Sequence, residues 1–186
     1  MILPIYLYGS EVLRTKASIV DLTSQKIREE ISKLVNDMIE TMSHADGVGL
    51  AAPQVGKLIR LIVVDGTPLA DSFPELENFR RVLINPIVLE ESTQEVEYNE
   101  GCLSIPDINA GVLRPEKIKI KYFNQNFEEV QEELEGFCCR IVQHELDHLD
   151  GVLFVDKTAP IRKKMVSARL NNIRAGKVKT SYKTIN

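Results

Sequence analysis

The sequence predicts an α+β fold: antiparallel or mixed β-sheets around a central helix carrying an HExxH motif, with an N-terminal amphipathic helix and a C-terminal basic helix. Three observations lead there. Apolar residues recur at helical spacing near both ends, the middle of the chain alternates with a period of two, and strands do not interleave with helices as βαβ units would require. At 186 residues the chain suits one domain. No repeat or linker divides it, so residues 1–186 read as a single domain, with 157–186 as its basic helix and tail. A composition of 44% hydrophobic and 27% charged residues excludes a disordered or low-complexity chain. Apolar runs such as Leu61 to Val64 fall far short of the ~20 residues a membrane span needs. The opening MILPIYLYGS lacks the basic segment and cleavage site of a secretion signal. The expectation is a soluble cytoplasmic protein with no membrane partner.

Taken in order, residues 24–43 place Ile27, Ile31, Leu34, Val35, Met38, Ile39 and Met42 on one stripe, with Thr23 or Ser24 as N-cap and Asp46-Gly47 as the stop. GVGLAAPQVG follows at 47–56. The run from Ile59 to Val64 reads as a buried strand, and residues 66–80 as a surface excursion. Val82 to Leu89 and Gln94 to Tyr98 read as strands, with Pro86 assigning part of the first to a sheet edge. KIKIKYF at 117–123 alternates as a half-exposed strand does, and Phe127 to Leu134 pairs with it across Asn124-Gln125-Asn126. Helices are predicted near 137–149 and 160–175, separated by Gly151 and Pro160.

Charge is segregated. The chain has 23 Lys/Arg and 27 Asp/Glu; nine of the basic and none of the acidic residues lie from Lys157 to Asn186, leaving 14 basic and 27 acidic residues before them. An acidic body with a basic tail suits an anionic partner such as RNA or a ribosome surface, although a solvated terminal helix has the same composition. The three cysteines, two of them adjacent at Cys138 and Cys139, make a poor disulfide framework and fit a reducing compartment.

Two of the three histidines lie in HELDH, 144–148. On a helix His144 and His148 are one turn apart on one face, so both imidazoles reach one metal, while Glu145 is offset by about 100° to the flank where a general base belongs. Catalytic sites of this kind use three protein ligands and an open position. The extended HExxHxxGxxH pattern fails, because Phe154 stands at the third histidine position. A downstream glutamate fails too, because none follows Glu145; only Asp147, Asp150 and Asp156 remain. Cys138 and Cys139 lie about 120° and 140° around the helix from His144 and read as core. That leaves His44 and Cys102. His44 reads as a solvated or capping group at a helix end. Cys102, in EGCLSIP beside Gly101, would complete a CysHis₂ set.

GVGLAAPQ, EGCLS (100–104) and HELDH, in this order and separation, resemble the three signature motifs of the bacterial peptide deformylase family, a likeness that runs through residue 156. The resemblance implies a metal-dependent hydrolase that removes the formyl group from the N-terminal formyl-methionine of new polypeptides and releases formate. It implies Cys102, His144 and His148 as metal ligands and Fe²⁺ as the physiological ion, with Zn²⁺, Ni²⁺ or Co²⁺ able to occupy the site. Glu145 would serve as general base and acid. Gln54 and the Leu103 N–H would polarise the formyl oxygen, and Gly49 would contact substrate through its backbone. Glu100 and Arg114 would pair to hold the Cys102 loop, and in some relatives a basic C-terminal helix docks on the ribosome.

The residues support that chemistry. An amide side chain and a backbone N–H are the donors an oxyanion needs, and a flanking carboxylate can shuttle the proton. Gly47 and Gly49, lacking Cβ atoms, would let backbone close on substrate. Val48, Phe137 and Ile141 are candidates for the methionine pocket, Arg140 for its rim, and Asp147 for orienting one of the histidines. Gly47, Gly49 and Ala52 also match GxGxxA, but a dinucleotide fingerprint follows a strand and opens a helix, whereas here a helix precedes and a strand follows; no dinucleotide is expected. A metallopeptidase cutting internal bonds and a catalytically silent, ribosome-tethered metal protein are the rival readings.

Overall fold

The computed structural model describes residues 1–186. Nine strands and four α-helices follow in chain order: β1 (Ile5–Tyr6), α1 (Gln25–His44), β2 (Gly49–Ala51), β3 (Leu61–Asp65), β4 (Arg80–Glu91), β5 (Glu95–Cys102), β6 (Ile105–Pro115), β7 (Lys117–Phe123), β8 (Glu129–Glu135), α2 (Gly136–Leu149), α3 (Phe154–Lys157), α4 (Pro160–Arg174) and β9 (Thr184–Ile185). Five strands form an antiparallel sheet in the order β2-β3-β4-β7-β8; β5 and β6 form a separate antiparallel hairpin, and β1 pairs with β9 in parallel.

The unbroken apolar run of β3 has a direct cause: the strand is buried on both faces. Ile62 and Val64 point into one core with Cys139, Val142 and Leu146 of α2. Leu61 and Val63 point into another with Ile31, Val35 and Met38 of α1. The two helices therefore cover opposite faces of the sheet. A third core joins Ile108, Ala110 and Val112 of β6 to Phe154 of α3 and to Leu170 and Ile173 of α4.

α1 starts where its cap predicts, with the Ser24 hydroxyl accepting the Ile27 N–H at 3.5 Å. Pro86 is accommodated as expected of a strand with one free side. β3 covers β4 only from Arg80 to Ile84, and beyond that β4 has β7 as its one neighbour, with a register shift between Ile84 and Ile87. A missing N–H costs no ladder bond there.

Two expectations need correcting. Residues 66–80 are not a plain surface excursion. Two 3₁₀ turns (Thr67–Leu69, Pro74–Leu76) fold the segment down so that Leu76 and Phe79 are buried in the core beneath α2, and Phe73 stacks on Phe137 with centroids 3.9 Å apart. Glu75 also accepts the Phe137 N–H at 3.1 Å, supplying from a distance the carboxylate a helix N-terminus favours. The second correction is β6, which the sequence reading left out. Its buried Ile108, Ala110, Val112 and Arg114 alternate with residues that are more exposed, a period of two blurred by small side chains and by Pro106.

Candidate metal centre

α2 presents two different faces. Cys138, Cys139, Val142, Leu146 and Leu149 pack on the sheet, as predicted for the two cysteines, whose thiols burial pushes up to about 11. Arg140, His144, Asp147 and His148 share the opposite stripe at helical spacing and meet the β5–β6 hairpin. Within the hairpin, Cys102 pairs with Ile105 across the turn made by Leu103 and Ser104, after a register irregularity that begins beyond Glu100. That break aims both Glu100 and Cys102 at α2, as bulges beside active sites do.

Donor atoms of Cys102, His144 and His148 all lie within 4.8 Å of one another, with Cys102 Sγ 3.2 Å from His148 Nε2. His44, the other candidate, is exposed at the end of α1 and outside this cluster. The donor set fits a divalent cation: one thiolate and two imidazoles suit Zn²⁺ or Fe²⁺. Burial, with the His144 imidazole and then the Arg114 guanidinium close by, holds His148 well below its usual pKa, favouring the neutral form that ligates metals. Glu145 is buried beside the cluster. Its Oε2 has no hydrogen-bond partner in the chain, and burial pushes its carboxyl up to about 7.

Behind the cluster lies a buried ionic network. Arg114 donates to both oxygens of Glu100 at 2.6 and 2.9 Å and to Asp147 at 2.6 Å. Glu100 in turn accepts from Arg140 at 2.7 Å and lies 2.9 Å from His144 Nδ1, leaving Nε2 for the site. Burial opposes ionisation of Glu100, but its bonds to Arg114 and His144 outweigh that and hold the carboxyl far below the usual range. The Glu100–Arg114 pair is present as expected. Two placements differ. Asp147 orients no histidine; it bonds Arg114 and Lys157, and Glu100 takes the histidine instead. Arg140 touches the cleft, but its guanidinium is not a rim group: it is buried and spent on Glu100 and on the carbonyls of Val112 and Val96.

The cluster opens into a cleft of about 580 Å³ lined by Gly47, Val48, Gly49, Phe137 and Ile141 among others. Gln54 is held from both ends. Its Oε1 accepts the Ala51 N–H at 2.8 Å, while Nε2 donates to Ser104 Oγ at 3.1 Å and faces Cys102 Sγ at 3.6 Å. Neither glycine leaves its missing Cβ free for substrate. A Cβ on Gly47 would meet the Leu103 side chain, and one on Gly49 would meet Glu145. Several contributors escaped the sequence reading. Ser104 had a signal, being part of EGCLS. Leu69, and Lys179–Tyr182 from the C-terminal tail, also line the cleft, and no local pattern marks them.

The sequence matches the polypeptide deformylase family over residues 2–164. Relatives named peptide deformylase include one from Salinibacter ruber, 46% identical over 98% of this chain and 93% of its own, and one from Prosthecochloris aestuarii, 45% identical over 98% and 94%. Among solved structures, the peptide deformylase of Thermotoga maritima is 42% identical with a TM-score of 0.76, covering 86% of this chain and 99% of its own. That of Legionella pneumophila is 33% identical with a TM-score of 0.80, covering 95% and 98%. Likeness in sequence over nearly the full length, likeness in fold, and a Cys-His-His cluster beside an unpartnered glutamate agree: this chain belongs to the polypeptide deformylase family.

Proposed function

We propose that Cys102, His144 and His148 hold one divalent cation and that Glu145 moves the proton as the formyl group is removed from N-formylmethionyl nascent peptides, the activity of this family. The observation that carries the assignment is the placement of an unpartnered, buried Glu145 carboxylate oxygen beside three donors within 4.8 Å of one another. When bound, the cation supplies Lewis acidity and makes a water acidic enough to deprotonate near neutral pH. Glu145 accepts the proton of the attacking water, whose oxygen bonds the formyl carbon. Gln54 Nε2 and the Leu103 N–H donate to the formyl oxygen as charge gathers there. The C–N bond then breaks, Glu145 returns the proton to the departing methionine amine, and formate leaves. Val48, Phe137 and Ile141 line the methionine pocket, Gly47 and Gly49 line the approach with Gly49 contacting substrate through its backbone, and Glu100, with Arg114 behind it, sets the His144 tautomer. Fe²⁺ is the assigned physiological ion, with Zn²⁺, Ni²⁺ or Co²⁺ also accepted, since thiolate and imidazole serve all four.

Residues 1–186 act as one catalytic domain, and we place it in the bacterial cytoplasm. No helix is long and apolar enough to cross a membrane. The test follows formate and free amine released from a formyl-Met peptide by the metal-loaded protein. Equimolar release supports the assignment; cleavage of internal peptide bonds without formate overturns it.

We also propose that α4 docks on the ribosome. Arg162, Lys164 and Arg169 are exposed on it without acidic partners, beside Ile161 and Met165, each 67% exposed. Removing the tail would also strip Leu170 and Ile173 from a core, so charge reversal at the three cations is the cleaner test. Ribosome pelleting that falls with salt and is lost in the reversed variant supports docking; unchanged pelleting removes it.

A further inference from the structure

The chain does not stop at α4. Gly176, with φ of +68°, reverses its direction, and the last ten residues run back across the molecule. Ile5 and Leu7 N–H groups donate to Lys183 and Ile185 carbonyls at 2.9 and 2.8 Å, and Asn186 Nδ2 donates to the Ile173 carbonyl at 2.7 Å. Anchored at both ends, the segment between presents Lys179, Thr180, Ser181 and Tyr182 to the same cleft that Cys102 and Glu145 line. Tyr182 is half-buried against the α1 core, and its hydroxyl donates to the Leu103 carbonyl at 2.7 Å. All of this lies beyond residue 164, where the family match ends.

We propose that Lys179–Tyr182 of the C-terminal arm form one wall of the substrate cleft and that Tyr182 is a positioning residue that holds the Leu103 turn in place for the reaction. The inference rests on the deformylase reading and extends it to residues outside the family's motifs. The reason is geometric. Leu103 lies between Cys102 and Ser104, both within reach of Gln54, and its own N–H is the assigned donor to the developing oxyanion. A two-residue turn has few internal bonds to fix it, so an external hydrogen bond on its carbonyl limits how far that N–H can swing. Donors for a developing oxyanion must be preorganised to act.

The experiment uses the full-length, metal-loaded protein and formylated di- and tetrapeptides. Tyr182→Phe removes one hydroxyl and keeps the ring packing. It should lower kcat about three- to tenfold, the effect of one hydrogen bond, with KM for the dipeptide, metal content and melting temperature little changed. Deleting 177–186 should add a rise in KM that is larger for the tetrapeptide, because the wall beyond the methionine is gone. Lys183→Ala, on the arm but facing solvent, is the control and should match the wild type. A Tyr182→Phe enzyme with wild-type kcat and KM on both substrates overturns the inference, as does one whose melting temperature falls while its kinetics stay unchanged. Absence of formate release by the wild type would instead defeat the functional assignment itself, so the two failures are distinct.

Discussion

The carboxylate of Glu145 occupies the space that a side chain at Gly49 would need: a Cβ built on Gly49 would sit 2.9 Å from both Cγ and Cδ of Glu145. Gly49 φ lies outside the left-handed region, so its lack of a side chain serves contact and not backbone freedom. Gly49→Ala should therefore push the carboxylate aside. Misplacement of a catalytic group by about 1 Å costs ~10²-fold, and we expect a loss of that order in formate release with metal content intact. An alanine variant with wild-type turnover would show that the carboxylate has room to spare.

Glu145→Gln keeps the volume and removes the proton carrier. Turnover should fall by about 10²- to 10⁴-fold while bound metal, measured by elemental analysis, stays stoichiometric. Loss of metal from this variant would recast Glu145 as a ligand.

Arg114 is the hub of the buried network, bonded to Glu100 and Asp147. Arg114→Met takes from Glu100 its two-pronged partner and from Asp147 its buried one, leaving only Arg140 and Lys157 to face them. Unfolding free energy should drop by about 3–5 kcal/mol, read from denaturant titration, and metal affinity by about 10- to 100-fold, read from chelator competition. Equal stability in the two proteins would mean that water reaches the network.

Asp156 ties the end of α3 to the body, accepting from the Leu153 N–H at 3.0 Å, from Lys163 at 3.2 Å and from Arg14. Burial opposes ionisation, but these bonds outweigh it and lower the pKa. A depressed folded-state pKa contributes stability that is present above the unfolded value and lost as pH falls through the folded one. Asp156→Asn should cost about 1 kcal/mol near neutral pH, and the gap to the wild type should shrink as pH drops below the ordinary aspartate range. A gap that stays constant with pH would assign the loss to packing.

Cys138 and Cys139, their thiols held up to about 11 by burial, should resist alkylation in the native protein, since the thiolate is the nucleophile. Mass spectrometry after brief iodoacetamide treatment should find both unmodified until the chain is unfolded. Rapid native labelling at either would place it at the surface.

Local patterns were legible wherever one element carries the whole signal. HELDH puts two imidazoles on one face of a single helix, KIKIKYF alternates along a single strand, and the α1 stripe repeats within twenty residues. Features shared between distant segments were not. Asp147 looked like a partner for one of the two histidines beside it on the helix, yet it lies on the stripe that meets Arg114 of β6, and only the hairpin's position shows this. Arg140 looked like a rim cation because its position on the helix lies beside the cleft; Glu100, forty residues earlier in sequence, is the partner that buries it.

The order of residues alone determined the helix and most strands, the pair of histidines one turn apart, the exclusion of the usual third ligands, and Cys102 as the group left to complete the set. These follow from periodicities and residue types that act over a few residues. Only the tertiary structure decided that Glu100 orients His144, that Gly49 yields its side-chain space to Glu145, and that a tail read as merely basic runs back to hold Leu103 through Tyr182. Each of those depends on segments up to 96 residues apart meeting at one point, a juxtaposition set by how whole elements pack and encoded in no local stretch of chain.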